Sequence, residues 1–198
     1  MSKVKLTDYV VEFLQKKGIH DFFGYQGTMI AHLVDSSGPG AANLLSGVAD
    51  AYFDSLPVIF ITGQLNTYEY SGITGLRQQG FQEINMVSMA KPVTKYAVQV
   101  RDPKNIVREL NLAWQIANTG RKGPVLIDLP MNVQRGEVED PAYDMEFSEE
   151  EIETAVYGKN DPENGAAFYR DAVAKADSSD GAEAAEYILN KIRTAKRP

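Results

Sequence analysis

The sequence predicts an α/β protein built on a parallel sheet, with a helical extension towards its C-terminal end. Three observations carry that expectation. Residues 57–62, Pro-Val-Ile-Phe-Ile-Thr, form a short apolar run without polar alternation, the pattern of a strand buried on both faces. The run is fed by a helix in which Leu44, Leu45, Val48, Ala51, Tyr52 and Phe53 recur at helical spacing. That helix opens at Ser37-Gly-Pro-Gly40, a tight turn whose glycines let backbone approach a ligand and whose helix N-terminus offers free N–H groups.

The remaining elements follow in order. Thr7 can cap a first helix with Val10, Val11, Phe13 and Leu14 as its apolar face and Gly18 as its stop. Residues 19–25 then read as a strand, after a connection as short as α/β units use. Gln26-Gly27-Thr28 turns the chain, and residues 29–34 begin a second helix. After strand 57–62 comes a polar loop, residues 64–80, long enough to suggest a functional role. Residues 81–90 read as helix and residues 92–100 as an alternating strand. Asp102-Pro103 caps and starts a helix to Asn118, and the turn at residues 120–123 leads into the apolar strand 124–129. Beyond Gln134 the character changes: residues 137–153 hold nine acidic side chains and no basic ones, the signature of a solvated linker. Two further helical patterns lie at residues 163–176 and 182–194. The expected organisation is therefore a domain over 1–135, an acidic linker over 136–162 and a helical tail over 163–198.

Composition bounds the function. The 198 residues are 43% hydrophobic, enough for one α/β domain and a modest extension. No stretch approaches the ~20 apolar residues of a membrane span, and the start shows no signal peptide, so no membrane partner is expected. With no cysteine, disulfides, thiol catalysis and cysteine metal sites are excluded, which suits a cytoplasmic location. A net charge of −7 argues against a nucleic-acid partner. His20 and His32, the two histidines, lie in different elements, against a histidine metal cluster.

Six motifs in order carry a family resemblance: Phe23-Gly-Tyr-Gln-Gly27, Ser37-Gly-Pro-Gly-Ala-Ala-Asn43, Ile61-Thr-Gly-Gln64, Gly80-Phe-Gln-Glu83, Lys91-Pro-Val-Thr-Lys95 and Gly123-Pro-Val-Leu-Ile-Asp-Leu-Pro130. Over residues 3–135 the chain resembles the N-terminal pyrimidine-binding (PYR) domain of thiamine-diphosphate enzymes of the acetolactate synthase group. The resemblance implies a partial parallel-sheet PYR-type fold, and a family reaction of 2-oxo acid decarboxylation, of pyruvate or another such acid, with carboligation. It implies thiamine diphosphate as cofactor, lying between this domain and a diphosphate-binding domain of a partner subunit. Tyr25 and Gly27 would line the cofactor, Pro39 and Asn43 would pack around its aminopyrimidine, and Phe81 and Gln82 would reach the reacting end. From the residues alone, Tyr25 is a strand-end aromatic, Pro39 a turn residue and Gln82 a surface amide. Residues 186–198 resemble the first helix of the family's middle domain; they also read as an amphipathic helix with a basic last turn.

The same comparison marks departures. The family's catalytic glutamate, which hydrogen-bonds the pyrimidine and promotes proton removal at the reacting carbon, lies in a His-Glu-Gln-like segment before the Gly-Pro-Gly turn. Here Asp35-Ser36 runs directly into Ser37, and no His-Glu pair occurs anywhere. An internal segment is therefore expected to be missing at the 36/37 junction, and the C-terminal end to be truncated, with no catalytic residue assigned. Asp35 and Glu83 are poor substitutes, one at a helix end and the other in a different motif. Thr28 stands where a second glycine is usual, and Gln26 where proline is usual. No Gly-Asp-Gly…Asn signature for magnesium and diphosphate is present, so magnesium would bind only through a domain supplied elsewhere. Three readings follow: a partial PYR chain inactive alone, the PYR subunit of a split thiamine-diphosphate enzyme, or a non-catalytic module pairing with a full-length relative. A homodimer is compatible with each. A generic nucleotide-binding domain is disfavoured, since neither GxGxxG nor a P-loop occurs.

Overall fold

A computed structural model describes residues 3–21, 23, 39–69, 80 and 83–157. By its contacts the chain divides into two units, Met1–Val156 and Tyr157–Pro198. The described elements lie in the first unit, except for Tyr157 itself. In chain order they are β1 (Lys3–Lys5), α1 (Leu6–Lys16), α2 (Pro39–Ala42), α3 (Leu45–Phe53), β2 (Ile59–Gln64), α4 (Met86–Ala90), β3 (Tyr96–Gln99), α5 (Ile106–Asn118), β4 (Val125–Pro130), α6 (Met131–Gln134), β5 (Glu137–Glu139) and α7 (Glu149–Tyr157).

The predicted parallel sheet is present. Among the described residues it has three strands in the order β2-β4-β3, all parallel, with β4 in the middle and every one of its residues buried. Side chains alternate between the faces of a strand, and the two faces are covered differently. Val125, Ile127 and Leu129 enter the main core with Tyr9, Val10 and Phe13 of α1 and Leu110, Ala113 and Ile116 of α5. Leu126 points the other way, into a smaller cluster with Ala41 of α2 and Met86 and Ala90 of α4. Phe60 and Ala97, in the same rows on the neighbouring strands, pack against that smaller cluster.

Several local expectations are met. Gly18 ends α1 with a φ of +79°, and the Gly18 and Ile19 N–H groups donate to Gln15 and Leu14 carbonyls. A left-handed residue costs glycine little, so it stops the helix where α1 must turn. The Asp102 carboxylate accepts from the Lys104 N–H at 3.0 Å, opening the Pro103–Asn105 turn that leads into α5.

Others change. α1 begins at Leu6 with Lys5, not Thr7, at its N-cap and no side-chain cap. Its first turn is tied instead by β1, which pairs antiparallel with β5, and by the Leu6 N–H donating to Gly136 O. Residues 19–21 form no strand, and the rest of the expected strand 19–25, except residue 23, lies outside the described residues with the helix at 29–34. The helix after the Gly-Pro-Gly turn is broken in two: Asn43 and Leu44 form a tighter turn, donating to Gly40 and Ala41 carbonyls, before α3 starts. Phe53, expected on the apolar face, is 70% exposed. The helix expected over 81–90 shortens to α4, which Asn85 caps by accepting from the Ser88 N–H. The strand expected over 92–100 shortens to β3, because Pro92 falls in a 3-10 turn.

The largest difference concerns the acidic stretch. Its charged side chains are mostly exposed, as expected of a solvated segment, yet its backbone is held in place along α1 and α5. The Ala142 carbonyl accepts from Tyr9 OH at 2.6 Å and from the Asn111 amide at 2.9 Å. Asn111 Oδ1 accepts from the Met145 N–H at 3.0 Å, and Gln115 makes both a donor and an acceptor contact with the Phe147 backbone, each at 2.9 Å. Asn111 and Gln115 are four residues apart, so they share one helix face and act there as an edge for an extended chain. Phe147 is buried in the main core, and the α7 residues Ile152, Ala155 and Val156 pack on it. α7, which sequence patterning missed, is opened by a Ser148–Glu151 capping box. The helical patterns at 163–176 and 182–194 lie outside the described residues.

Candidate functional site

In open α/β sheets ligands bind beyond the carboxyl ends of the strands. Here that end carries a polar cluster on the face covered by α2 and α4. Thr62, Asp128 and Gln99 occupy one row across the sheet, with Thr62 opposite Asp128 on β2 and Gln99 opposite it on β3. Thr62 Oγ1 donates to Asp128 Oδ1 at 2.8 Å, and Gln99 Nε2 donates to Oδ2 at 2.9 Å. Burial pushes the Asp128 carboxyl above its ordinary pKa, and the hydrogen bonds from Gln99 and Thr62 oppose that rise.

Two residues further along β2 the cluster reaches the loops. Gln64 Nε2 donates to the Ile84 carbonyl at 2.7 Å, while its Oε1 accepts from the Leu65 N–H. Glu83 Oε2 accepts from the Gly80 N–H at 3.0 Å. Beyond β2, the Asn66 amide donates to Glu69 Oε2 at 2.7 Å, which fixes its orientation. Its Oδ1 is then a buried acceptor with no hydrogen-bond partner among the described residues. Asn132, just past β4, exchanges hydrogen bonds with Thr67 at 2.9 Å, closing the β2 and β4 ends together.

Of the residues expected at the site, Tyr25, Gly27, Phe81 and Gln82 lie outside the described residues, as does the side chain of Pro39. The Pro39 backbone begins α2, and Asn43 follows that helix with its side chain exposed. α2 packs on α4 through Ala41, Met86 and Ala90. The helix that begins at Pro39 and the segment following residue 82 are thus neighbours in space. Of the two acids weighed as substitutes, Glu83 closes its own loop and Asp35 lies outside the described residues. Sequence reading missed Asp128 and Gln64, although an acid inside Val125–Pro130 and a glutamine ending an apolar strand were both visible signals.

An aminopyrimidine carries an N–H-bearing amine and acceptor ring nitrogens. Asn66 Oδ1 offers an acceptor for such a donor, and the exposed Asn43 amide offers both functions. Both are groups of the kind an aminopyrimidine can pair with. Among the described residues there is no group of three or more His, Cys, Asp or Glu side chains suited to a metal ion. No described helix is long and apolar enough to cross a membrane.

Residues 36–89 match the family described as thiamine pyrophosphate enzyme, N-terminal TPP binding domain, thiamine pyrophosphate being thiamine diphosphate. That segment, which contains α2, α3 and β2, belongs to this class of domain. Among relatives, the chain is 44% identical over 110 residues to a probable acetolactate synthase large subunit of Methanocaldococcus jannaschii, covering 56% of this chain and 18% of the relative. It is 40% identical over 121 residues to the acetolactate synthase large subunit of Lactococcus lactis, covering 60% and 20%. To that of Corynebacterium glutamicum it is 38% identical over 140 residues, covering 70% and 21%. The chain is thus similar, over residues 36–89, to N-terminal TPP binding domains and, over a longer stretch, to acetolactate synthase large subunits. The matched stretch spans about a fifth of the length of these curated relatives.

Proposed function

We propose that this chain supplies the pyrimidine-binding side of a thiamine-diphosphate site, and that the diphosphate and its magnesium are held by a diphosphate-binding domain of another chain or of a full-length relative. The observation that carries this reading is the packing of α2, which begins at Pro39, on α4 over the polar carboxyl end of the sheet. Tyr25, Gly27, Pro39 and Asn43 surround the pyrimidine, with Gln82 beside it and Phe81 towards the substrate. The cofactor, when bound, supplies the carbon nucleophile for 2-oxo acid decarboxylation and carboligation. The chain's own residues orient its ring and exclude water from one side. The protein works in the cytoplasm as part of an oligomer, a homodimer or a mixed assembly, without nucleic acid or membrane. The lack of a His-Glu segment before Ser37 favours inactivity of the chain on its own.

Calorimetry with thiamine diphosphate and magnesium tests this reading, using the chain alone and mixed with a full-length acetolactate synthase. The expected result is weak or no binding alone and a saturable signal, or a change in the partner's affinity, in the mixture. Pyruvate consumption by the purified chain alone would sink the inactivity claim. Silence in both titrations would remove the cofactor-binding claim.

A further inference from the structure

We propose that the cavity between β3, α5 and α7 is a second binding site, for a small zwitterion of the α-amino-acid class. Arg108 takes the carboxylate of that ligand, and Glu150 and Glu151 take its ammonium group. The inference is independent of the cofactor reading, because the cavity lies apart from the polar cluster. Tyr96, which lines it, packs on the main-core face of the sheet. Ala97 and Gln99 alternate to the other face, where Gln99 bonds Asp128.

The cavity has a volume of about 260 Å³ and is lined by Tyr96, Arg108, Glu150, Glu151, Thr154 and Ala155. Its charged walls are held by contacts of their own. Arg108 Nη1 donates to Glu109 Oε1 at 3.0 Å, and the guanidinium carbon stands 5.6 Å from the centre of the Phe147 ring. The Nε–Nη2 edge of Arg108 has no hydrogen-bond partner among the described residues. That edge can grip a carboxylate with two parallel hydrogen bonds. Glu109 does not compete for the ligand's ammonium group, since its other oxygen accepts from Tyr96 OH at 2.5 Å. On α7, the Ser148 N–H and hydroxyl both donate to Glu151 Oε2 at 2.9 Å, and Oε1 has no hydrogen-bond partner among the described residues. The Ser148 bonds hold the Glu151 carboxyl below the ordinary carboxylate range, and the charge of Arg108 adds to that shift. The two opposite charges are therefore within electrostatic reach across the cavity. This pairing selects the ligand. A simple anion drawn to Arg108 would face the carboxylates of α7, and a simple cation drawn to them would face Arg108. A molecule carrying both charges close together satisfies each wall. Thr154 adds a hydroxyl that donates or accepts, and the Tyr96 ring and Ala155 add apolar surface for a side chain.

NMR titration of the full chain tests the site with three probes that differ only in charge: L-methionine, L-methioninamide and N-acetyl-L-methionine. The flexible methionine side chain adapts to an apolar wall of any shape. L-Methionine is expected to shift the Thr154 and Ala155 amides and the Arg108 Nε–H, saturating with a Kd of about 1 mM, as suits a ligand of few atoms. The amide lacks the carboxylate and the N-acetyl compound lacks the ammonium group, so each should bind about tenfold more weakly, the scale of one charge-assisted hydrogen bond. Arg108→Gln should cost L-methionine about the same factor, and Arg108→Lys should recover only part of it, because lysine has no planar fork. Arg108 is half exposed, so neither change threatens folding. The double variant Glu150→Gln/Glu151→Gln keeps a capping box, which glutamine also closes. It should reverse the preference, binding N-acetyl-L-methionine more tightly than L-methioninamide. No saturable shift with L-methionine, equal binding of the three probes, or shifts that persist unchanged in Arg108→Gln would each overturn the proposal. Shifts confined to residues outside the cavity would do the same. None of these outcomes depends on thiamine diphosphate, so failure here and failure of the cofactor titrations are read separately.

Discussion

Asp128 is the one charge in a strand otherwise made of Val125, Leu126, Ile127, Leu129 and Pro130. Such a residue persists in a core only with its oxygens satisfied, and Thr62 and Gln99 do that here. Burial dominates all the same and raises its pKa. The folded chain therefore keeps the proton to higher pH than the unfolded chain. The stability linked to that proton is present below the unfolded carboxylate pKa of about 4 and is lost as pH rises through the folded value. Urea unfolding from acid to neutral pH checks the sign: wild type should lose stability relative to Asp128→Asn as pH rises, and a pH-independent difference would contradict it. Glycines give a second residue-level prediction. A Cβ at Gly136 would lie 2.3 Å from Pro103 Cγ and 3.0 Å from the Val133 carbonyl oxygen, so Gly136→Ala should cost about 1–3 kcal/mol. At Gly47, inside α3, no described atom lies within 4 Å of such a Cβ, so Gly47→Ala should add about 0.5–1 kcal/mol. Thermal melts of the pair suffice, since the two shifts have opposite sign.

At the scale of elements, residues 137–157 change the account most. Their acidity predicts solvation, and the carboxylates do face water; the hydrogen bonds from Tyr9, Asn111 and Gln115 bind the backbone instead. Charge patterning reports on side-chain heads and says nothing of main-chain partners, which come from helices distant in sequence. Phe147 anchors the segment in the main core. Phe147→Ala should therefore destabilise the first unit by about 3 kcal/mol, as for a buried aromatic in any core, a loss measurable by chemical unfolding. A solvated linker would show no such change. The broken helix at Asn43 and Leu44 has a related cause. Apolar spacing over residues 44–53 predicts a continuous helix, but α2 must seat Ala41 against Met86 and Leu126, and the intervening turn lets α3 take another direction.

For the molecule as a whole, the parallel sheet was legible because both apolar strands, 59–64 and 125–130, announce burial on two faces, and the cap at Asp102 and the stop at Gly18 are local chemistry. The family was legible from six ordered motifs, and residues 36–89 match it. Parts of the site were legible only as names: Asn43 and the start of α2 are placed, while Tyr25, Gly27, Phe81 and Gln82 lie outside the described residues. Strand order, the pairing of β1 with β5 and the convergence of Thr62, Gln99 and Asp128 were not legible, because each depends on partners roughly 30 to 130 positions apart. By itself the sequence determined the fold class, the helix stop at Gly18, the cap at Asp102 and the family resemblance, all of which follow from local pattern and side-chain chemistry. The tertiary structure alone decided which strands are neighbours, that the acidic segment is strapped to α1 and α5, and that one buried carboxyl group holds the carboxyl end of the sheet. Those depend on which distant groups meet where water is excluded, and there an unpaired polar group costs more than it does in any local element.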